Sequence, residues 1–221
     1  MKTLKIAIDG PAGAGKSSIA KEVASELGFI YVDTGALYRT VALYAGRFDN
    51  RESFLRKLKH CDVELKYLGG TQRVFLDGED VTDEIRTSEI SMRSSEISAL
   101  PEVRAYLSEK QREIARENNV IMDGRDIGTV VLPDADLKVY LTASVEERAS
   151  RRYLELEGKQ DAPTYEQILE DIRQRDYQDT HRKVSPLKQA KDAVLLDTTT
   201  MGFHEVYKAL EDLIKERLEL E

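Results

Sequence analysis

A chain of 221 residues, 41% hydrophobic and 33% charged, can bury one α/β core with room for small inserts. Its formal net charge of −8 argues against a general nucleic-acid partner, which needs a basic face, but leaves room for a local basic pocket. The one cysteine, Cys61, excludes an internal disulfide framework and a multi-cysteine zinc site, and reads as a small apolar residue; His60, His181 and His204 are too scattered for a histidine metal cluster.

Residues 4–8 form a short, mostly apolar, β-prone run. Directly after it comes Gly10-Pro11-Ala12-Gly13-Ala14-Gly15-Lys16-Ser17, which fits G-x-x-x-x-G-K-S/T. Residues 18–27 then place Ile19, Ala20, Val23, Ala24 and Leu27 at helical spacing. Strand, glycine loop and helix in that order make a phosphate site: the glycines let the backbone wrap an anion, so that N–H groups and a helix N-terminus face it. The ATP-binding set is Gly10 to Ser17 with Ser18. Lys16 is expected to reach the β- and γ-phosphates and Ser17 to ligate Mg²⁺ directly. The alternative is an ordinary glycine turn between strand and helix.

Gly28 stops the first helix and residues 29–32 read as a second strand. The strand ends in Asp33-Thr34-Gly35-Ala36-Leu37-Tyr38-Arg39, opening a helix towards Ala45, the place where open α/β sheets hold ligands. Two readings stand there. Either Arg39 grips a phosphate and Tyr38 packs on a base or sugar, or Thr34 is an N-cap and Tyr38 a packing residue.

A modest helix over 52–60 precedes a small antiparallel meander. Residues 63–67 alternate, Gly69-Gly70 turns, residues 73–76 return, and Asp77-Gly78 turns again before 79–81. Residues 87–99 are polar and serine-rich, and Pro101 starts a long helix to about Asn118. Val120-Ile121-Met122-Asp123 is a buried-type strand ending in an acid, followed by the charged glycine turn Gly124-Arg125-Asp126-Ile127-Gly128. Asp123 is either the second carboxylate of the P-loop site, ordering the Mg²⁺ shell through water, or a turn-initiating aspartate.

Residues 137–141 and 193–197 are the fourth and fifth strands. Between them run two arginine-bearing helices, one with Arg148, Arg151 and Arg152, the other with Arg173 and Arg175 and with Arg182 just beyond, joined by a loop over 158–163. Such arginines form either a solvated face or a mobile lid that neutralises transferring phosphate. A closing amphipathic helix spans 202–220. Five strands with helical crossovers give a parallel sheet covered on both faces. No apolar run has the length of a signal peptide or membrane span, so a cytoplasmic protein with no membrane partner is expected.

The segments Asp9 to Ser17, Asp33 to Arg39, Leu76 to Val81 with Ile85-Arg86-Thr87, Asp123 to Val131, and Arg175-Asp176 through Arg182 to Pro186-Leu187 together resemble the bacterial cytidylate kinases. These motifs span nearly the whole chain in order. The resemblance implies the P-loop nucleoside monophosphate kinase fold: one domain with a five-stranded parallel sheet of order 2-3-1-4-5. It assigns the core to about 1–33, 97–147 and 188–221, and a nucleotide-acceptor part to about 34–96 with the β insert at 61–82. The helical lid takes about 148–165, with the following helix to 187.

The resemblance also implies ATP-dependent phosphorylation of CMP or dCMP with Mg²⁺, by a monomer. Position by position, Arg39 and Arg125 hold the acceptor phosphate and Tyr38 lines its site. Thr34, Arg104 and Asp126 read the cytosine, and Ser95, Arg175 and Asp179 sit at the pentose. Arg182 bridges the acceptor and transferring phosphates, and Lys16, Asp123, Arg125 and Arg182 form the catalytic set. Arg148, Arg151 and Arg152 belong to the lid. Thr34 stands where some members carry serine, and either hydroxyl serves the same hydrogen bonds.

Other readings are another small-molecule P-loop kinase (adenylate, guanylate, shikimate, dephospho-coenzyme A), a GTPase-type switch, and a non-catalytic ATP-binding module. Neither Asn-Lys-x-Asp nor Asp-x-x-Gly occurs in the chain, and Lys16, Ser17 and Asp123 are intact.

Overall fold

The computed structural model describes residues 3–68, 71–158 and 162–220. Strand β1 (Lys5–Asp9) runs into the P-loop and helix α1 (Lys16–Leu27), then β2 (Ile30–Asp33) and α2 (Thr34–Ala45). Helix α3 (Arg51–Lys57) and a 3₁₀ turn (Leu58–His60) lead to the meander β3 (Val63–Leu68), β4 (Thr71–Leu76) and β5 (Glu79–Asp80). Helices α4 (Ser88–Ile97) and α5 (Pro101–Glu117) precede β6 (Val120–Gly124) and β7 (Leu137–Thr142). The chain closes with α6 (Val145–Leu156), α7 (Tyr165–His181), β8 (Val194–Asp197) and α8 (Phe203–Leu218).

The main sheet has the order β2-β6-β1-β7-β8, every pairing parallel. Numbered among themselves, these five strands read 2-3-1-4-5, as the resemblance implies. β1 lies at the centre with Ile6, Ala7 and Ile8 fully buried, which is why its apolar run does not alternate. Register brings the acids together: Asp33 pairs with Asp123 across β2 and β6, and Asp9 with Gly124 across β1 and β6. The carboxyl ends of three neighbouring strands therefore open onto one crevice.

Among the described residues, four apolar clusters surround this frame. Two flank the sheet, one joining α1 and α8 to β1 and β7, the other centred on Val32, Val120 and Met122. A third joins α2, the meander, α4 and α5 through Leu37, Val41, Leu76, Ile85 and Leu107. A small fourth holds α6 to α7 through Ala149, Ile168 and Ile172.

Several local expectations shift. Helix α1 begins at Lys16 rather than at 18, because Gly15 is its left-handed N-cap. Thr34 is not the cap of α2. Asp33 is, accepting from the Ala36 N–H at 2.9 Å, and Thr34 is the first helical residue. The serine-rich stretch is the helix α4, started by Thr87 accepting from Ile90 N–H. The expected Gly69-Gly70 turn and residues 159–161 of the loop between α6 and α7 lie outside the described residues.

Candidate active site

Gly10, Gly13 and Gly15 have φ of +154°, +75° and +84°, conformations that L side chains adopt only with strain. At Gly10 the need is also spatial, since a Cβ there would stand 1.9 Å from the Leu141 carbonyl oxygen. The result is a loop that delivers the chain into α1 with no side chain capping the helix and no acid in its first turn. Its first N–H groups are thus left for an anion. Lys16 is buried and its Nζ donates to Pro11 O at 2.7 Å, folded over its own loop. Burial, and then the charge of Arg125, hold this ammonium below its ordinary range.

Asp123, at the end of β6, is the hub beside the loop. Its Oδ2 accepts from Ser17 Oγ at 2.7 Å, its Oδ1 from Tyr31 Oη at 2.9 Å, and its carbonyl from Thr34 Oγ1 at 2.7 Å. Burial and the neighbouring Asp33 push its carboxyl upward, against the opposing pull of Lys16 and its two hydroxyl donors. The paired Ser17 and Asp123 oxygens suit a hard cation. Mg²⁺ keeps several waters and takes substrate phosphate oxygens, so a small protein donor set fits it.

Asp9 holds the neighbouring turn. Its two oxygens accept from Ile127 N–H at 2.8 Å and Gly128 N–H at 2.7 Å, and burial raises its pKa to about 6. Residues Ile127–Val131 form a single π-helical turn whose carbonyls at 130 and 131 accept from Arg112. Asp126 is the residue that starts that turn, with Arg125 just before it.

Beyond it lies a cage of alternating charge. The Arg104 guanidinium pairs with Asp126, both side chains almost fully buried, and also donates to Ser98 O at 3.0 Å. Arg182 reaches Asp126 at 3.6 Å and Asp179 at 3.9 Å, while Arg125 Nε donates to Asp179 at 2.8 Å. The ring of Tyr38 lies 5.5 Å from the Arg104 guanidinium carbon, and Arg39 is held by Asp33 at 3.0 Å. Arg39 Nε, Arg104 Nε and Arg182 Nη2 are buried donors without a hydrogen-bond acceptor among the described residues. Such donors are costly unless a ligand supplies the acceptor. Alongside, an open cleft of about 360 Å³ is lined by Ser95, Ser98, Gln178, Asp179 and Arg182. Arg175 stands within electrostatic reach of Arg125, Asp179 and Arg39. Arg104, Arg125 and Arg182, named from the sequence, are thus linked to one another through Asp126 and Asp179.

The lid arginines are placed differently from a free phosphate clamp. Arg148 is buried and fully engaged, donating to Ala143 O, to Ala12 O of the P-loop at 2.9 Å and twice to Asp176. It ties the donor loop to α7. Arg151 donates to Glu147 and to Thr198 O, and Arg152 pairs with Glu155 on the surface. Sequence reasoning assigned no role to Asp9, Tyr31 or Asp33. An acid just before the first loop glycine and one just before a helical run were the available signals for two of them; nothing in the sequence singles out Tyr31.

A family model described as cytidylate kinase matches residues 6–216. The chain is 51% identical over 217 residues to the cytidylate kinase of Caldanaerobacter subterraneus subsp. tengcongensis, covering 96% of this chain and 95% of the relative. It is 48% identical to that of Caldicellulosiruptor bescii, covering 96% of each. Among solved structures, shikimate kinase from Bacteroides thetaiotaomicron aligns with a TM-score of 0.50 at 14% identity, covering 98% of this chain and 99% of that one, a likeness of fold alone. With a P-loop, an acid at the penultimate residue of β6 and arginines paired with carboxylates beyond it, and with relatives matched over nearly its whole length, the chain belongs to the cytidylate kinase family.

Proposed function

We propose that the chain transfers the γ-phosphoryl group of ATP to CMP or dCMP, giving ADP and CDP or dCDP. The observation that carries this reading is the set of buried guanidinium donors left without acceptors at Arg39, Arg104 and Arg182, beside a P-loop with an uncapped helix start. The acceptor phosphate is already an anionic nucleophile, so no general base is required and catalysis is mostly alignment and charge stabilisation. Gly10 to Ser18 cradle the ATP phosphates, with Lys16 swinging from Pro11 O to the transferring group. Arg39 and Arg125 hold the acceptor phosphate, and Arg182 spans the two.

Ser17, and Asp123 through water, would hold Mg²⁺, which when bound neutralises charge on the phosphoryl oxygens. Cytosine carries an exocyclic amine that donates, and the Asp126 carboxylate accepts. Arg104 and Thr34 take the remaining ring-edge groups. Uracil presents a carbonyl where cytosine has the amine, so it would set oxygen against oxygen at Asp126. Ser95, Arg175 and Asp179 serve the pentose. Closure of α6 and α7 keeps water from the transferring group. The chain is proposed to act as a cytoplasmic monomer on free nucleotides, and a net charge of −8 weighs against a polyanionic partner.

The test is ADP release with Mg·ATP and, separately, CMP, dCMP, UMP, AMP, GMP and shikimate. Turnover with CMP and dCMP well above the rest is expected. Turnover only with another acceptor removes the cytosine assignment, and none with any removes the kinase reading.

A further inference from the structure

The meander has no role in the scheme above, yet two of its side chains grip the main sheet. Among the described residues β2 is an outer strand, paired only with β6, so one of its edges carries backbone groups outside the ladder. Two of those groups are met by the meander: Tyr67 Oη donates to Tyr31 O, and Gln72 Oε1 accepts from Asp33 N–H at 3.2 Å. Tyr67 and Gln72 are directly opposed across β3 and β4, so a single cross-strand pair supplies both contacts. It stands in for a missing strand with one donor and one acceptor.

The two residues held this way are also those whose side chains enter the site. Tyr31 Oη donates to Asp123, which takes the Ser17 hydroxyl on its other oxygen. Asp33 caps α2 and fixes Arg39 at 3.0 Å. A shift of this edge would therefore move the donor-side carboxylate through Tyr31 and the acceptor-side guanidinium through Asp33. Leu65 and Val74, the opposed pair next along the hairpin on the same face, pack into the acceptor-side core and keep the grip oriented.

We infer that Tyr67 and Gln72 are positioning residues for phosphoryl transfer, Gln72 acting on the acceptor side through Asp33 and Arg39, and Tyr67 on the donor side through Tyr31 and Asp123. The inference rests on the proposed function and gives the insert a task within it. Neither residue touches substrate.

The test uses the full chain with Gln72→Ala, Gln72→Glu and Tyr67→Phe. In Gln72→Ala, hydrogen exchange at the Asp33 amide, read by NMR without ligand, should speed up by about fivefold, the effect of roughly one lost hydrogen bond. The KM for CMP should rise by a similar factor, with the KM for Mg·ATP little changed. Tyr67→Phe should show the reverse split, and Gln72→Glu, which keeps an acceptor oxygen, should restore the CMP value. Unchanged KM values in both alanine and phenylalanine variants overturn the inference. So do rises in both KM values that track a fall in the thermal midpoint, which mark a merely structural role. A wild-type chain inactive on CMP overturns the functional reading and this inference with it; a wild type active on CMP beside unaffected variants overturns the inference alone.

Discussion

At the P-loop the groups proposed to bind anions are backbone N–H donors from consecutive residues, shaped by three glycines with positive φ within a few positions of one another. On the acceptor side they are guanidinium groups from α2, α5, the turn after β6 and the end of α7, each steadied by a carboxylate from another segment. The loop needs little from the rest of the fold beyond a strand before it and a helix after it. The cage exists only once four distant segments have packed, and it holds buried charges whose partners cannot be removed singly without penalty. The two halves of one site should therefore fail in different ways.

Lys16→Ala should sharpen that contrast most. Turnover should fall by roughly a thousandfold, the scale of losing one preorganised charge at the reacting group. The fold should persist, because Lys16 sits buried where its charge is disfavoured and its hydrogen bond is to the backbone carbonyl of Pro11. Steady-state kinetics and thermal unfolding of the same sample check both halves. Undiminished activity would sink the P-loop assignment.

Asp126→Ala should do the opposite, damaging fold and site together. It strips the partner from the buried Arg104 and the nearer counter-ion from Arg182, a change that costs about 3 kcal/mol of stability when a buried pair is broken. Use of CMP should fall far more than binding of ATP, read by nucleotide titration against turnover. If both fell equally, the base-reading role of Asp126 would be wrong.

Asp9 probes the seam between the halves. The native state holds its proton until about pH 6, whereas an unfolded aspartate loses it near 3.8. Between those values the native state binds more protons, so this group's contribution makes stability fall as pH rises and then level off above about 6. The difference between the two values corresponds to about 3 kcal/mol. Asp9→Asn should remove that slope while giving up one of the two N–H acceptances at the 127–128 turn. Denaturant midpoints of both proteins across pH 4 to 7 supply the difference curve. Parallel curves would show that Asp9 does not titrate in this window.

How much was legible follows the same division. The P-loop was readable because its constraint is local: glycine conformations and a lysine at fixed spacing appear in the sequence itself. Asp123 was readable as an acid ending a buried strand, and the parallel sheet as apolar runs separated by helices. Arg104 was harder, since on pattern alone an arginine in a long polar helix is a surface residue; only the family resemblance marked it. Arg148, expected in the lid, is buried and bonded to the P-loop and α7, a placement not legible because an arginine-rich helix carries no sign of which guanidinium turns inward. Asp33, not Thr34, caps α2, because both residue types are good caps and only the backbone chooses between them.

By itself, then, the sequence determined most of the elements, the P-loop and the succession of strands and helices along the chain, since these depend on hydrophobic period, glycine freedom and short-range capping. The tertiary structure decided which charges face one another. Register between parallel strands set Asp33 beside Asp123, the π-turn set Asp126 against Arg104, and the packing of α6 on α7 turned Arg148 onto the P-loop. The reason is physical. Ion pairing between segments far apart in the chain leaves no periodicity to read, and it forms only after burial has made an unpaired charge too costly to keep.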